Sequence, residues 1–274
     1  QARVRADHPA IVDGERRWTY AELWRRAETA AAGFLALGLQ PGDRVIIQIG
    51  NVAEFYSVAF ALFRAGLVPV YTLPAHRITE IQHFVRRAQA AAYVALDRYD
   101  GFDYRTLARE LQSREPQLRH VVIVGDAAEF TSFDSFTPDD SLLPAEEPDP
   151  QSVAFLQISG GSTGLSKLIP RTHDDYIYSF RTSNEICGIS EHSRYLIALP
   201  AAHNFPMSSP GAMGAFYAGG TVVMSRSTAP DEAFALIARE RVTDLGLVPP
   251  LALLWAKAAQ NGQHDLSSLR VLQV

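Results

Sequence analysis

Apolar positions recur along this chain in two rhythms. From Tyr20 to Leu37 they fall three and four apart, at Leu23, Trp24, Ala27, Ala31, Phe34 and Leu35, which is the period of an amphipathic helix. Gly38 follows where a left-handed cap would end that helix. Short continuous apolar runs such as Arg44 to Ile49, entered through Pro41-Gly42-Asp43, have the length and β-branched content of buried strands. The same patterns predict helices over 52–65, 78–89 and 103–113, and strands over 67–71, 91–96 and 120–124. Ahead of them, Asp13-Gly14 predicts a hairpin over 11–19. Further on, strands are predicted over 153–158, 194–199, 220–224, 243–248 and 269–274. Helices over 173–186, about 208–218, 230–240 and 250–260 separate them. Strands alternating with helices mean an α/β fold with mostly parallel sheets.

One stretch breaks the alternation. Within 131–151, Pro138, Asp139, Asp140, Pro144, Glu146, Glu147, Pro148, Asp149 and Pro150 make an acidic, proline-rich connector to which no chemistry is assigned. The expected organisation is a first α/β part over about 1–136, the connector over about 137–151, and a second α/β part over 152–274.

Composition removes several classes of function. An apolar fraction of 47% and a charged fraction of 20% in 274 residues are those of an ordinary globular protein. A net charge of −5 without a Lys/Arg block argues against nucleic acid. No apolar run of about 18 residues is present, so no membrane span is expected. Cys187, the only cysteine, excludes an intrachain disulfide, fits a reducing cytoplasm and reads as a buried small hydrophobe at a helix end. Gln1 to Asp7 carry no signal-peptide pattern, there is no initiating Met, and the chain stops in mid-strand, so a piece of a longer protein is expected. His8, His83, His120, His192 and His264 have no metal-ligand spacing, and no metal site is expected.

The candidate chemistry lies between two predicted strands. Ser159-Gly160-Gly161-Ser162-Thr163-Gly164-Leu165-Ser166-Lys167 follows the run 153–158 and precedes Leu168-Ile169-Pro170, where proline keeps the chain extended. Glycines let backbone N–H groups approach a ligand, the hydroxyls add donors, and Lys167 adds a positive charge, a combination suited to a polyphosphate. Two standard phosphate loops are excluded. A P-loop needs Lys directly after its last Gly, but Leu165-Ser166 intervene; the dinucleotide fingerprint fails because Gly160 and Gly161 are adjacent and no helix opens there.

This loop resembles the phosphate signature of the adenylate-forming enzymes, which include acyl-CoA synthetases and peptide-synthetase adenylation domains. Ser166 stands where the usual form has Pro. Trp18-Thr19-Tyr20-Ala21-Glu22-Leu23 and Leu62-Phe63-Arg64-Ala65-Gly66-Leu67-Val68-Pro69-Val70 are similar to two further family boxes, in the right order. Leu73-Pro74-Ala75-His76-Arg77, the string Lys167 to Tyr176, and Pro200-Ala201-Ala202-His203-Asn204-Phe205-Pro206-Met207-Ser208-Ser209-Pro210-Gly211 resemble the aryl-acid subgroup, which activates salicylate or 2,3-dihydroxybenzoate for siderophore synthesis.

The resemblance implies a partial N-terminal core of layered parallel sheets with helices packed on both. The family's adenine and ribose motifs and its mobile C-terminal domain are expected beyond Val274, and the 274 residues are expected to be inactive alone. It also implies ATP and Mg2+ as cofactors, an aryl acid substrate, and an aryl carrier protein whose phosphopantetheine thiol accepts the product. Ser159, Gly160, Gly161, Ser162, Thr163, Gly164 and Lys167 would hold the phosphates, with Lys167 and His203 in catalytic positions. Asn204 would meet the 2-hydroxyl of the ring, with His203, Phe205 and Ser209 lining the aryl pocket. Ser209 goes with 2,3-dihydroxybenzoate and Phe205 with salicylate; salicylate is favoured by a small margin. Arg171, His173, His76 and Arg77 are assigned supporting roles. A benzoate-type aryl-CoA synthetase and a non-catalytic module that docks a carrier protein are the competing readings. Asn204 with Ser209 opposes the first, and the intact phosphate loop opposes the second.

Overall fold

The computed structural model describes all residues except 161–165 and 263. The chain opens with the strands β1 (Pro9–Asp13) and β2 (Arg16–Thr19), joined through Gly14 at φ +62°, and continues into α1 (Tyr20–Ala36). Then follow β3 (Arg44–Gln48), α2 (Glu54–Arg64), β4 (Val68–Tyr71), α3 (Ile78–Ala88) and β5 (Ala92–Leu96). The short strands β6 (Arg98–Tyr99) and β7 (Phe102–Asp103) lead into α4 (Tyr104–Arg114), β8 (His120–Val124) and β9 (Thr131–Ser132). After the connector come β10 (Val153–Ile158), β11 (Leu168–Thr172), α5 (His173–Cys187) and β12 (Arg194–Ile197). The remainder is α6 (Asn204–Ser208), α7 (Gly211–Ala218), β13 (Thr221–Met224), α8 (Pro230–Glu240), β14 (Asp244–Gly246), α9 (Pro249–Ala259) and β15 (Val271–Gln273).

These elements form two compact units. One comprises Gln1–Leu23, Asn51–Ala53 and Tyr176–Val274. Its sheet runs in the order β15-β14-β12-β13-β1-β2, parallel throughout except for the β1–β2 hairpin. Val12, Leu196, Val223 and Leu245 from the strands pack with Phe234 and Ile237 of α8 and Trp255 of α9. Both last helices begin with proline, whose fixed φ suits a first turn and whose missing N–H costs nothing there.

The other unit comprises Trp24–Gly50 and Glu54–Asp175. Its sheet runs β11-β10-β4-β3-β5-β8-β9, with antiparallel pairing only between β10 and β11. Ile46, Val70, Tyr93 and Ile123 pack against Ile81, Phe84 and Val85 of α3 and Leu107 and Leu111 of α4. The sheets are α/β and parallel-rich, as the alternation predicts.

The structure redraws several boundaries. The connector expected over about 137–151 does not part the two units, because β10 and β11, which follow it, complete the sheet of β3, β4 and β5. The stretch 131–151 also holds β9, which pairs with β8. The helix expected over about 208–218 is α7, which starts at Gly211, at φ +58°, and the short helix α6, which was not expected, precedes it across Pro210, which has no N–H. A Cβ at Gly211 would lie 2.2 Å from the Pro206 carbonyl oxygen, so only glycine fits this turn. The helix expected from residue 52 starts at Glu54, because the Ala53 N–H donates to Asp13 Oδ2 at 3.1 Å instead.

Candidate active site

In the unit that carries β10 and β11, the antiparallel pair is in register from Phe155↔Arg171 to Ile158↔Leu168. Its open end is drawn together at Ser159. The Ser159 N–H donates to the Lys167 carbonyl at 2.9 Å, and the Lys167 N–H donates back to Ser159 Oγ at 2.9 Å. His83 Nε2 meets the Ser166 carbonyl at 3.1 Å. Lys167 and Gly160 are exposed, and a Cβ at Gly160 would meet nothing within 4 Å. The expected phosphate contacts at Gly161, Ser162, Thr163 and Gly164 lie outside the described residues.

The same sheet end carries a fastened turn over residues 72–77. Gln48 Nε2 donates to the Leu73 and His76 carbonyls at 3.0 and 2.9 Å, while its Oε1 accepts the Tyr93 hydroxyl at 2.6 Å. Tyr104 donates to the Pro74 carbonyl at 2.8 Å. The His76 Nδ1 accepts the Leu73 N–H at 3.1 Å, and burial holds its pKa below the ordinary value. Arg77 lies over the Phe102 ring at 3.9 Å. His173, with its pKa likewise lowered by burial, packs 5.6 Å from the Phe63 ring, and Arg171 pairs with Asp175. All four supporting residues are thus tied to structure in this unit.

In the other unit, β12 ends at Ile197 and the chain turns through Pro200 into α6. His203 caps that helix: its Nδ1 accepts the Phe205 N–H at 3.4 Å and its ring is exposed. Asn204 Oδ1 accepts from the Tyr176 hydroxyl at 3.2 Å and from Ser208 Oγ at 3.3 Å. These two bonds orient the carboxamide, whose Nδ2 makes no hydrogen bond among the described residues. The Phe205 ring lies over Gly246, where a Cβ would come 3.0 Å from Cε1 and Cζ and 3.2 Å from the Tyr195 hydroxyl. Ser209 is half-buried and closes α6 through its N–H to the Phe205 carbonyl at 3.2 Å.

Several partners here were not foreseen from sequence. Tyr195 donates to Gln273 Oε1 at 3.0 Å, and Gln273 Nε2 donates to Cys187 Sγ at 3.2 Å. Cys187 ends α5, as expected, but it is half-buried and hydrogen-bonded where a buried hydrophobe was expected, and burial pushes its thiol pKa up. Asn51 holds the approach to α6 from beneath, through the Ala201 N–H and the carbonyls of Ile197, Leu199 and Ser225. Of the two groups bonded to Asn204 Oδ1, Tyr176 and Ser208, only Ser208 had a local signal, its i, i+4 spacing. Among the described residues, no three His, Cys, Asp or Glu side chains gather as a metal site, and no helix is long and apolar enough to cross a membrane.

A family model described as AMP-binding enzyme matches residues 1–274. The 2,3-dihydroxybenzoate-AMP ligase of Bacillus subtilis is 54% identical over 268 residues, covering 98% of this chain and 49% of its own length. The salicyl-AMP ligase / salicyl-S-ArCP synthetase of Mycobacterium tuberculosis is 44% identical over 279 residues, covering 100% of this chain and 49% of its own. Among solved structures, apo MbtA of Mycobacterium smegmatis superposes with a TM-score of 0.89 at 46% identity, covering 98% of this chain and 50% of that one. The chain spans about half the length of the curated relatives it matches.

Proposed function

Because the chain belongs to the family of AMP-binding enzymes, we propose that its protein activates a 2-hydroxylated aryl acid with ATP and passes the aryl group to a carrier protein. The family match along residues 1–274 carries the adenylation step. In that step a carboxylate oxygen of the aryl acid bonds to the α-phosphorus, the bond from that phosphorus to the bridging oxygen breaks, and pyrophosphate leaves. Two anions must meet, so catalysis consists of holding them in line and offsetting their charge. The loop 159–167 and exposed Lys167 supply donors and positive charge for the phosphates. Mg2+ bound with the ATP would neutralise phosphate charge there.

The Asn204 carboxamide supports the hydroxylated ring, because Tyr176 and Ser208 fix its oxygen and leave its N–H groups for a ring oxygen. Within that class, Phe205 favours salicylate. The 54% identity to a protein named 2,3-dihydroxybenzoate-AMP ligase, together with half-buried Ser209, favours the dihydroxylated acid as the second reading. The acceptor is the phosphopantetheine thiol of an aryl carrier protein, whose sulfur bonds to the acyl carbon of aryl-AMP as the bond to the phosphate oxygen breaks and AMP leaves, a step supported by the relative named salicyl-S-ArCP synthetase. The resulting thioester joins a siderophore or a related peptide product, and the setting proposed is the cytoplasm.

The test is pyrophosphate exchange by the full-length protein with salicylate, 2,3-dihydroxybenzoate and benzoate compared, followed by transfer to a carrier protein or to free coenzyme A. Exchange with both hydroxylated acids and little with benzoate is expected. Equal rates with benzoate, or transfer to coenzyme A alone, would replace this reading by that of an aryl-CoA synthetase.

A further inference from the structure

The acidic, proline-rich connector has no part in the proposed chemistry, yet it walls a cavity of about 600 Å3. All the lining residues belong to the unit built on β3, β4 and β10. Pro144 and Pro148 come from the connector, Pro41 from the turn before β3, and Val68, Val153 and Leu156 from the strands. Arg44, Val68 and Val153 are the first residues of β3, β4 and β10, which run parallel, so the cavity lies at their amino ends. Ser159 and the 72–77 turn follow the carboxyl ends of β10 and β4. The cavity is therefore separate from the candidate active site. Its volume falls within the roughly 300–1,000 Å3 of small-molecule sites.

Its walls are fastened. Arg64 Nη1 donates to the Pro144 carbonyl at 2.9 Å at one end of the connector. At the other end, the Asp149 carbonyl accepts the Ser152 N–H at 2.9 Å and the Ser152 hydroxyl at 2.7 Å, and the Pro150 carbonyl accepts the Asp174 N–H at 3.0 Å. Pinned ends and fixed proline rings leave little freedom to lose when a ligand enters. The charges of the lining are unbalanced. Arg44 is engaged by the last carbonyls of α3 and by the 41–43 turn: it donates to Ala88 at 2.6 Å, Gln89 at 3.3 Å and Gly42 at 3.0 Å. Glu146 makes no ion pair or hydrogen bond among the described residues. Asp149 pairs with no cation among them, and its Oδ1 accepts the Gln151 N–H at 2.9 Å. Apolar surface thus meets two carboxylates that lack a counter-charge.

We propose that this cavity is a second ligand site, and that it takes a small organic cation, an ammonium group carried on an apolar body. The proline rings with Val68, Val153 and Leu156 cover the body, while Glu146 and Asp149 receive the ammonium. The same carboxylates oppose an organic anion, and a neutral ligand leaves them unused. Neither ATP nor an aryl acid enters this site, so the proposal stands independently of the adenylation reading.

The test is an NMR titration of the full-length protein, without ATP or aryl acid, using cyclohexylmethylammonium, cyclohexylmethanol and cyclohexanecarboxylate. The ammonium is expected to bind about tenfold or more tighter than the carboxylate and tighter than the alcohol, with affinity falling as salt rises. Glu146→Gln combined with Asp149→Asn keeps the side-chain shapes and the acceptor for Gln151, and is expected to weaken the ammonium about fivefold or more. Val153→Trp, at a position 42% exposed, fills the cavity and is expected to abolish binding. Asn204→Leu, in the other unit, leaves it unchanged. No binding of the ammonium, equal binding of the carboxylate, or full affinity in the double variant would overturn the proposal. Loss of binding in Asn204→Leu would overturn it too, by placing the cation in the candidate active site. The double variant changes only exposed connector residues, so it still decides the matter if Val153→Trp does not fold.

Discussion

Asn51 Oδ1 accepts the Ala201 N–H at 2.8 Å across 150 positions of sequence. The same side chain, 4% exposed, donates to the carbonyls of Ile197, Leu199 and Ser225 at 3.2, 3.0 and 2.9 Å. One carboxamide thus satisfies backbone groups at the carboxyl ends of β12 and β13 and sets the path that leads into His203 and Asn204. Replacing it by alanine leaves those groups buried without this partner. Asn51→Ala is expected to lower unfolding free energy by about 2–4 kcal/mol, as for loss of a buried network. Urea denaturation measures this, and a change below about 0.5 kcal/mol, the level of an ordinary surface substitution, would show that Asn51 holds nothing.

The aryl-acid reading makes Asn204 and Tyr176 a unit. Asn204→Leu in the full-length enzyme removes the donor assigned to the ring hydroxyl, and the preference for salicylate over benzoate is expected to collapse by about tenfold or more. Tyr176→Phe keeps the donor but removes the 3.2 Å bond that orients it, so a smaller loss of the same preference is expected. Competition assays with the two acids read both effects. An Asn204→Leu enzyme that still prefers salicylate would remove Asn204 from the pocket.

Much of the fold was legible in sequence because its signals are local. Helical spacing from Leu23 to Leu35 and the β-branched runs at 44–49 and 120–124 each reflect which face of one element is buried. Pairing between distant segments leaves no such mark. Asn51 only precedes the helix expected over 52–65, while its partners lie 146 to 174 positions away. Membership of β10 and β11 in the sheet of β4 was hidden for the same reason, because a proline-rich connector looks alike whether or not it parts two units. His203 and Asn204 stood out through a recognisable string, whereas Gly246 acquires meaning only where the strands bring it beside Phe205 and Tyr195, and Gln273 only through its bond to Tyr195.

Acid should weaken the turn that leads into α4. Asp103 accepts from the Arg105 N–H at 3.1 Å and pairs with its guanidinium at 2.8–2.9 Å, with Arg98 at 3.1 Å. Hydrogen bonding to Arg105, aided by the Arg98 charge, holds the carboxyl at about 2, below its ordinary 3.8. The depressed value means that Asp103 contributes fully above 3.8, and that its contribution is lost as pH falls from there to about 2, where the unfolded chain binds the proton first. Asp103→Asn is expected to reduce stability at pH 6 and to flatten the decline between pH values of about 4 and 2. Urea midpoints across that range check it; parallel curves for the two proteins would refute the coupling.

The Phe205–Gly246 packing makes a sharper claim about the pocket. A methyl group at 246 would stand 3.0 Å from two ring carbons and 3.2 Å from the Tyr195 hydroxyl, closer than neighbouring side chains settle without moving. Neither group can simply retreat. The Tyr195 ring is buried with its hydroxyl tied to Gln273, and Phe205 is the second residue of a short helix capped at His203 and Ser209. Gly246→Ala therefore displaces the ring and narrows or tilts the proposed aryl site, at an overpacking cost of about 1–3 kcal/mol. In the full-length enzyme the KM for the aryl acid is expected to rise while the KM for ATP holds. Phe205→Leu should restore part of the aryl-acid KM when combined with Gly246→Ala, because the smaller side chain removes the ring edge that the new methyl meets. Additive losses in the double variant would show that the two residues do not share this contact.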